Sequence, residues 1–280
     1  MKVFISADIE GVACVAHIAE IFAEAGGEYQ MARRWMTAEV NAAALGAFEA
    51  GASEVVVADS HSSFRNLLPD ELHEDVVLVR GTPRPMFMMQ GLDASFDAVF
   101  FIGYHARHND PGGVLGHTFM EQVAAIRLNG QTIAEAHFNA AIAGHLGVPV
   151  ALVSGDHVIA EAVRTALPWA ERVVVKQGLG VLATQSLTPR KAQARIRAGA
   201  RAALARLGEM QPFVLARPIT LEVDFGIGQW AQLSADLPGA ELIGEHSVRY
   251  LAADMLEAQR ILRLMLNLTM NHPRTGGKSY

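Results

Sequence analysis

The chain of 280 residues has a single cysteine, Cys14, so neither an intramolecular disulfide nor a cysteine-ligated zinc site is open to it. It also lacks a basic surplus. Its formal net charge is −6, which speaks against the basic face that nucleic-acid binding needs. No uninterrupted apolar run reaches the roughly 20 residues of a membrane-spanning helix. Nor does the start read as a secretion signal, because Asp8 and Glu10 interrupt the first hydrophobic stretch at once. Missing too are a Gly-x-Ser-x-Gly nucleophile elbow, a phosphate loop and a Gly-x-Gly-x-x-Gly turn after the first strand. There is no internal repeat and no low-complexity linker. These absences predict a soluble, cytoplasmic protein with no nucleic-acid or membrane partner.

What is present suits a large core, since 51% of the residues are apolar and alanine and glycine are abundant. Strand-like and helical segments alternate: Lys2–Ile5, a helix from Glu28 to Ala50, then Glu54–Ala58, Val76–Val79 and Ala98–Ile102. Asn129-Gly130 predicts a hairpin between Val123–Leu128 and Thr132–Ala134. A helix from Glu135 to about Leu146, a strand at Pro149–Val153, another helix after Asp156 and a weak strand at Val173–Lys176 follow. This rhythm predicts an α/β fold, a Rossmann-like and mostly parallel sheet flanked by helices. From Thr188 the order changes to a long Ala/Arg helix, strands at Ile219–Phe225 and Ser247–Leu251, and a closing helix, Leu256–Met270. We therefore expect a catalytic metal-binding portion over 1–185 and a smaller α+β portion over 186–280, with a loose tail from Asn271.

The chemistry sits where the strands stop. Asp8 and Glu10 are two apart after the first strand, so their side chains converge on one spot and repel each other unless a proton or a cation intervenes. The second strand ends in Asp59-Ser60-His61, and the fourth in Gly103-Tyr104-His105. In parallel sheets, ligands gather beyond the carboxyl ends of the strands. With Glu135 at a helix start, the set Asp8, Glu10, His61, His105 and Glu135 suits a divalent ion such as zinc. Five ligands exceed what one catalytic zinc takes and fit two ions, with Asp8 as bridge. A first division gives Glu10 and His105 to one ion and His61 and Glu135 to the other. His117 fits no ligand slot and is the candidate general base or proton shuttle. Asn139, four residues beyond Glu135 on the same helix face, is the candidate to hold a substrate carbonyl. Asp59 reads as a residue that orients its loop. Each histidine alone has an ordinary structural reading, and Glu135 alone reads as a first-turn glutamate facing the helix dipole. The convergence of three strand ends outweighs those readings.

Ser6-Ala7-Asp8-Ile9-Glu10-Gly11, Asp59-Ser60-His61-Ser62, Gly103-Tyr104-His105-Ala106, Gly116-His117-Thr118 and Ala134-Glu135 resemble, in order and spacing, the motifs of the zinc-dependent D-aminopeptidases. That resemblance runs over nearly the whole chain. It implies a binuclear zinc aminopeptidase with two Zn2+ per subunit, releasing N-terminal D-amino acids such as D-alanine from short peptides by attack of a metal-bridging hydroxide. It places the metal ligands on Asp8, Glu10, His61, His105 and Glu135 and the catalytic histidine on His117. It also implies a ring-shaped homo-oligomer, a decamer, whose channel admits only short peptides. Ala58 stands where the resemblance leads us to expect a polar residue. The competing expectations are a binuclear amidase or peptidase without D-preference and a non-catalytic peptide-binding protein.

Overall fold

A computed structural model describes residues 1–270. The predicted tail lies outside them. In chain order the first elements are β1 (Lys2–Ala7), α1 (Gly27–Glu49), β2 (Glu54–Asp59), β3 (Val76–Val79) and β4 (Ala98–Tyr104). Then come β5 (Val123–Leu128), β6 (Gln131–Thr132), α2 (Glu135–His145), β7 (Val150–Asp156), α3 (His157–Ala166), β8 (Glu171–Gly180) and β9 (Ala183–Ser186). The last third holds α4 (Pro189–Ala205), β10 (Ile219–Phe225), α5 (Gly228–Ala235), β11 (Ala240–Leu242), β12 (Ser247–Ala252) and α6 (Met255–Met270).

The main sheet has the order β3-β2-β1-β4-β7-β8-β9, parallel throughout except for the antiparallel edge β8–β9. Its central strands are fully buried and β-branched, as strands covered on both faces must be. Side chains alternate across it: Val3, Ile5 and Ala7 face the cluster under α1 and α4, and Phe4 faces the opposite cluster. At Gly46 a Cβ would lie 2.5 Å from the Arg197 carbonyl, so α1 and α4 meet backbone to backbone there. The opposite face carries α2 and, beyond it, a second sheet, β11-β12-β10-β5-β6, antiparallel and backed by α5 and α6.

The predicted hairpin at Asn129-Gly130 forms, with φ of +49° and +80° at its two residues. It belongs to the second sheet, not the first. Position 185 is therefore not a seam between sheets: β5 and β6 precede it yet pair in the second sheet, while α4 follows it yet packs on α1. The weak strand expected at Val173–Lys176 is the middle of a ten-residue strand. β1 is followed by β2 on one side and neighboured by β4 on the other, so the strand order reverses between β1 and β4. That reversal opens the crevice where open α/β sheets bind ligands.

Candidate metal centre

β1 ends at Ala7, and the chain then bends across the tip of β4. The Asp8 amide donates to the Ile102 carbonyl at 2.8 Å and the Gly11 amide to the Gly103 carbonyl at 2.8 Å. The approach is so close that a Cβ on Gly11 would lie 1.9 Å from the Tyr104 oxygen. Gly103 has φ +71°, and a Cβ there would lie 2.2 Å from the Asp8 oxygen. Asp8 and Glu10 are thereby carried over the switch point. On one side the loop after β2 brings His61, and on the other the end of β4 brings His105. Glu135 arrives on the first turn of α2, where its Oε1 accepts from the Phe119 amide at 2.6 Å. All five side chains are buried.

Both imidazoles are oriented by backbone. His61 Nε2 lies 2.8 Å from the Ile21 carbonyl, and His105 Nδ1 lies 2.8 Å from the Ala106 carbonyl. A carbonyl only accepts, so each ring places a proton there and, when neutral, aims a lone pair into the site. The lone pairs meet carboxylates. His61 Nδ1 is 3.1 Å from Glu10 Oε2 and 3.4 Å from Asp8 Oδ1. His105 Nε2 is 3.5 Å from Asp8 Oδ2 and 3.6 Å from Glu135 Oε1. Glu10 Oε2 and His105 Nε2 are buried without a hydrogen-bond partner. Acceptors facing acceptors in a buried site are tolerated only with positive charge between them.

The electrostatics agree. Burial pulls His61 and His105 down, but the surrounding carboxylates win: His61 is held well above its usual range by Glu10 and Asp8, and His105 is raised to about 10 by Glu135 and Asp8. Burial pushes Glu10 up, yet His61, His117 and His105 hold it well below the carboxylate range, while burial dominates at Glu135 and raises it. Three buried carboxylates thus demand cations. Protons on the imidazoles meet that demand in metal-free protein, and divalent ions meet it better, since they need the neutral imidazole and the ionised carboxylate. The residues fit zinc.

His117 stacks on His105 with centroids 4.3 Å apart and planes 9° off parallel. Its Nδ1 lies 3.0 Å from the Leu115 carbonyl, leaving Nε2 at 4.0 Å from Glu10 Oε1 and 3.9 Å from Glu135 Oε1. Ligand atoms within 4.8 Å of one another make the sets Asp8–Glu10–His105 and His105–His117–Glu135. The imidazole–carboxylate contacts also bring His61 closest to Glu10, and His105 almost equally close to Asp8 and Glu135. His117 differs from the five candidate ligands in being 24% exposed to the cavity above, where they are 5% or less. That cavity measures about 660 Å³ and is walled largely by apolar side chains, among them Ile21, Phe22, Phe64, Phe87 and Phe119.

Asn139 is not brought to the cavity. Its buried amide donates to the Tyr104 hydroxyl at 2.9 Å, and that hydroxyl pairs with Ser6 Oγ at 2.8 Å, so Asn139 braces the floor beneath the site. The expectation that it holds a substrate carbonyl is corrected: the i+4 spacing puts it one turn deeper than Glu135, where α2 enters the core. Asp59 does orient its loop, accepting from the Asn66 side chain at 2.8 Å and the Leu67 amide at 2.7 Å, and Asn66 in turn donates to the His61 carbonyl at 2.6 Å. Ala58 is buried in the apolar core.

Two further residues escaped the sequence reading. Lys176 is buried, and its ammonium donates to the carbonyls of Glu10, Val12 and Val15. Burial pulls it down to about 8 against the pull of Asp156, Glu39 and Glu10. Glu39 on α1 accepts from the Ala13 amide at 2.9 Å, and burial pushes it up to about 7. The one sequence signal was a lysine closing a run of three valines.

The D-aminopeptidase family model matches residues 1–264. The chain is 34% identical over 275 residues to the D-aminopeptidase of Bacillus subtilis (strain 168), covering 96% of this chain and 98% of that one. Among solved structures it is similar to the Zn-dependent D-aminopeptidase DppA of Bacillus subtilis, described as a self-compartmentalizing protease. That likeness has a TM-score of 0.94 and 31% identity over 99% of this chain and 100% of the other. A metal-ready cluster at the switch point, on a fold shared from end to end, thus places this chain in the D-aminopeptidase family of metal-dependent peptidases.

Proposed function

We propose that the protein is a binuclear zinc aminopeptidase that releases N-terminal D-residues from short peptides. The observation that carries this is the pair of backbone-fixed imidazoles aimed at three buried carboxylates with no donor between them. The contacts favour Asp8, Glu10 and His61 around one ion and Asp8, His105 and Glu135 around the other, with Asp8 presenting one oxygen to each side. The set Asp8–Glu10–His105, whose ligand atoms lie within 4.8 Å of one another, supports the division expected from the sequence as well. Zinc held there supplies a Lewis acid for the scissile carbonyl and an activated water. His117, its Nδ1 proton fixed on Leu115, keeps Nε2 free at the edge of the cavity to take a proton and pass it to the departing amine. The apolar walls exclude water and accept short peptides.

The same proposal includes a closed homo-oligomer, in keeping with the self-compartmentalizing description of the DppA structure. It is supported by the end of β8 and the turn into β9, where Leu179 and Val181 are each 70% exposed. Val181 also borders the cavity, and apolar groups so placed suit a subunit contact.

The test is release of free amino acid from D-Ala-D-Ala and from L-Ala-L-Ala by metal-stripped protein, with and without zinc, with bound metal counted in the same sample. Zinc-restored cleavage of the D-peptide with two ions bound is expected. Two ions with the L-peptide cut equally well would leave the centre standing and remove the stereochemistry.

A further inference from the structure

The segment from Glu10 to Val15 has no regular secondary structure, yet it is almost wholly buried. Its carbonyls at Glu10, Val12 and Val15 converge on one side chain, and Val12 also accepts from the Val15 amide at 3.2 Å. Lys176, in β8, supplies the three N–H groups of its ammonium to these three acceptors. From other sides the Ala13 amide is held by Glu39 and the Cys14 amide by Ser186 Oγ at 2.7 Å. Cys14 itself sits at φ +73°, a conformation that a residue with a Cβ adopts only when its neighbours hold it there.

We propose that Lys176 is a positioning residue for the metal centre: by drawing three loop carbonyls onto one ammonium it fixes the backbone that aims the Glu10 carboxylate. This rests on the reading of Glu10 as a ligand with Asp8 and His61. Asp8 is held independently, by its amide on Ile102 and by its own Oδ1, which accepts from the Ile9 amide at 2.9 Å. His105 and Glu135 hang from β4 and α2. The grip therefore bears on one of the two ion positions.

The experiment is zinc titration of metal-stripped wild type, Lys176→Met and Lys176→Arg against a competing chelator, followed by thermal melting of each. Methionine matches the length without the donors, and arginine keeps the charge but cannot converge on three carbonyls. We expect both variants to bind one ion as wild type does and the second at least about tenfold more weakly, the size seen when groups supporting a metal ligand are lost. Wild-type affinity for both ions in Lys176→Arg would make the role one of charge and overturn the positioning assignment. So would equal weakening of both ions in either folded variant. Should Lys176→Met fail to fold, Lys176→Arg decides alone by the same criterion. A wild type that takes up fewer than two ions overturns the binuclear reading and this assignment with it.

Discussion

His117 differs from the other histidines of the site in one respect that matters chemically: its free nitrogen faces both the cavity and the carboxylate cluster without being enclosed by it. His117→Ala should lower turnover by about 10²–10⁴-fold, the range for loss of a general acid–base group, with zinc content unchanged. Loss of one equivalent of zinc, measured on the same preparation, would make it a ligand. A second expectation concerns protons. In metal-free protein the carboxylates hold His61 and His105 protonated at neutral pH, His105 with a pKa of about 10. Zinc needs them neutral, so its uptake at neutral pH must expel protons, and apparent affinity must rise with pH across that range. Calorimetry in buffers of different ionisation enthalpy measures the release directly, and an enthalpy independent of buffer would contradict it. The candidate ligands stood out in the sequence because each comes soon after a strong strand or opens a helix. Lys176 and Glu39 were not, since only the packing of β8 and α1 around the Glu10–Val15 loop shows that their charges are buried.

At the scale of elements, the site depends on how closely the turn after β1 can lie on the tip of β4. Gly11→Ala forces a Cβ to within 1.9 Å of the Tyr104 oxygen, so the turn must lift. We expect a loss of at least about 2 kcal/mol in urea unfolding of the metal-free protein, from overpacking of a buried crossing. Weakened zinc binding should accompany it, because Asp8 and Glu10 ride on the same turn. Wild-type stability in that variant would show that the crossing has slack. The three strands that precede the candidate ligands were readable from apolar runs. The edge strand β9 and the helix α5 were not, since β9 is a four-residue strand paired to the outer part of β8 and α5 a two-turn helix held by α6 and the second sheet.

For the whole molecule, the proposed zinc ligands follow β1, β2 and β4 and open α2, positions distant in the chain and together only when folded. Native protein should gain about 2.7 kcal/mol at a free zinc concentration one hundred times Kd for a single site, which a rise in melting temperature on zinc addition will register. Because the proposed metal centre lies at the floor of an apolar cavity, kcat/KM should fall steeply from di- and tripeptides to longer chains, and folded proteins should resist cleavage. Equal rates for a decapeptide and a dipeptide would argue against an enclosed site.

Sequence by itself determined the alternation of buried strands and helices, and with it the places where side chains must leave the sheet at its carboxyl edge. Local hydrophobic pattern and turn chemistry suffice for that, which is why Asp8, Glu10, His61, His105 and Glu135 stood out. Tertiary structure alone decided which ring nitrogen faces inward, since that is set by the Ile21 and Ala106 carbonyls. It likewise decided that His61 pairs with Glu10, that Asn139 braces the floor beneath the site, and that a lysine 166 residues away in the chain grips the Glu10–Val15 loop. These depend on contacts between segments remote in sequence, and no pattern along the chain encodes the distance between them.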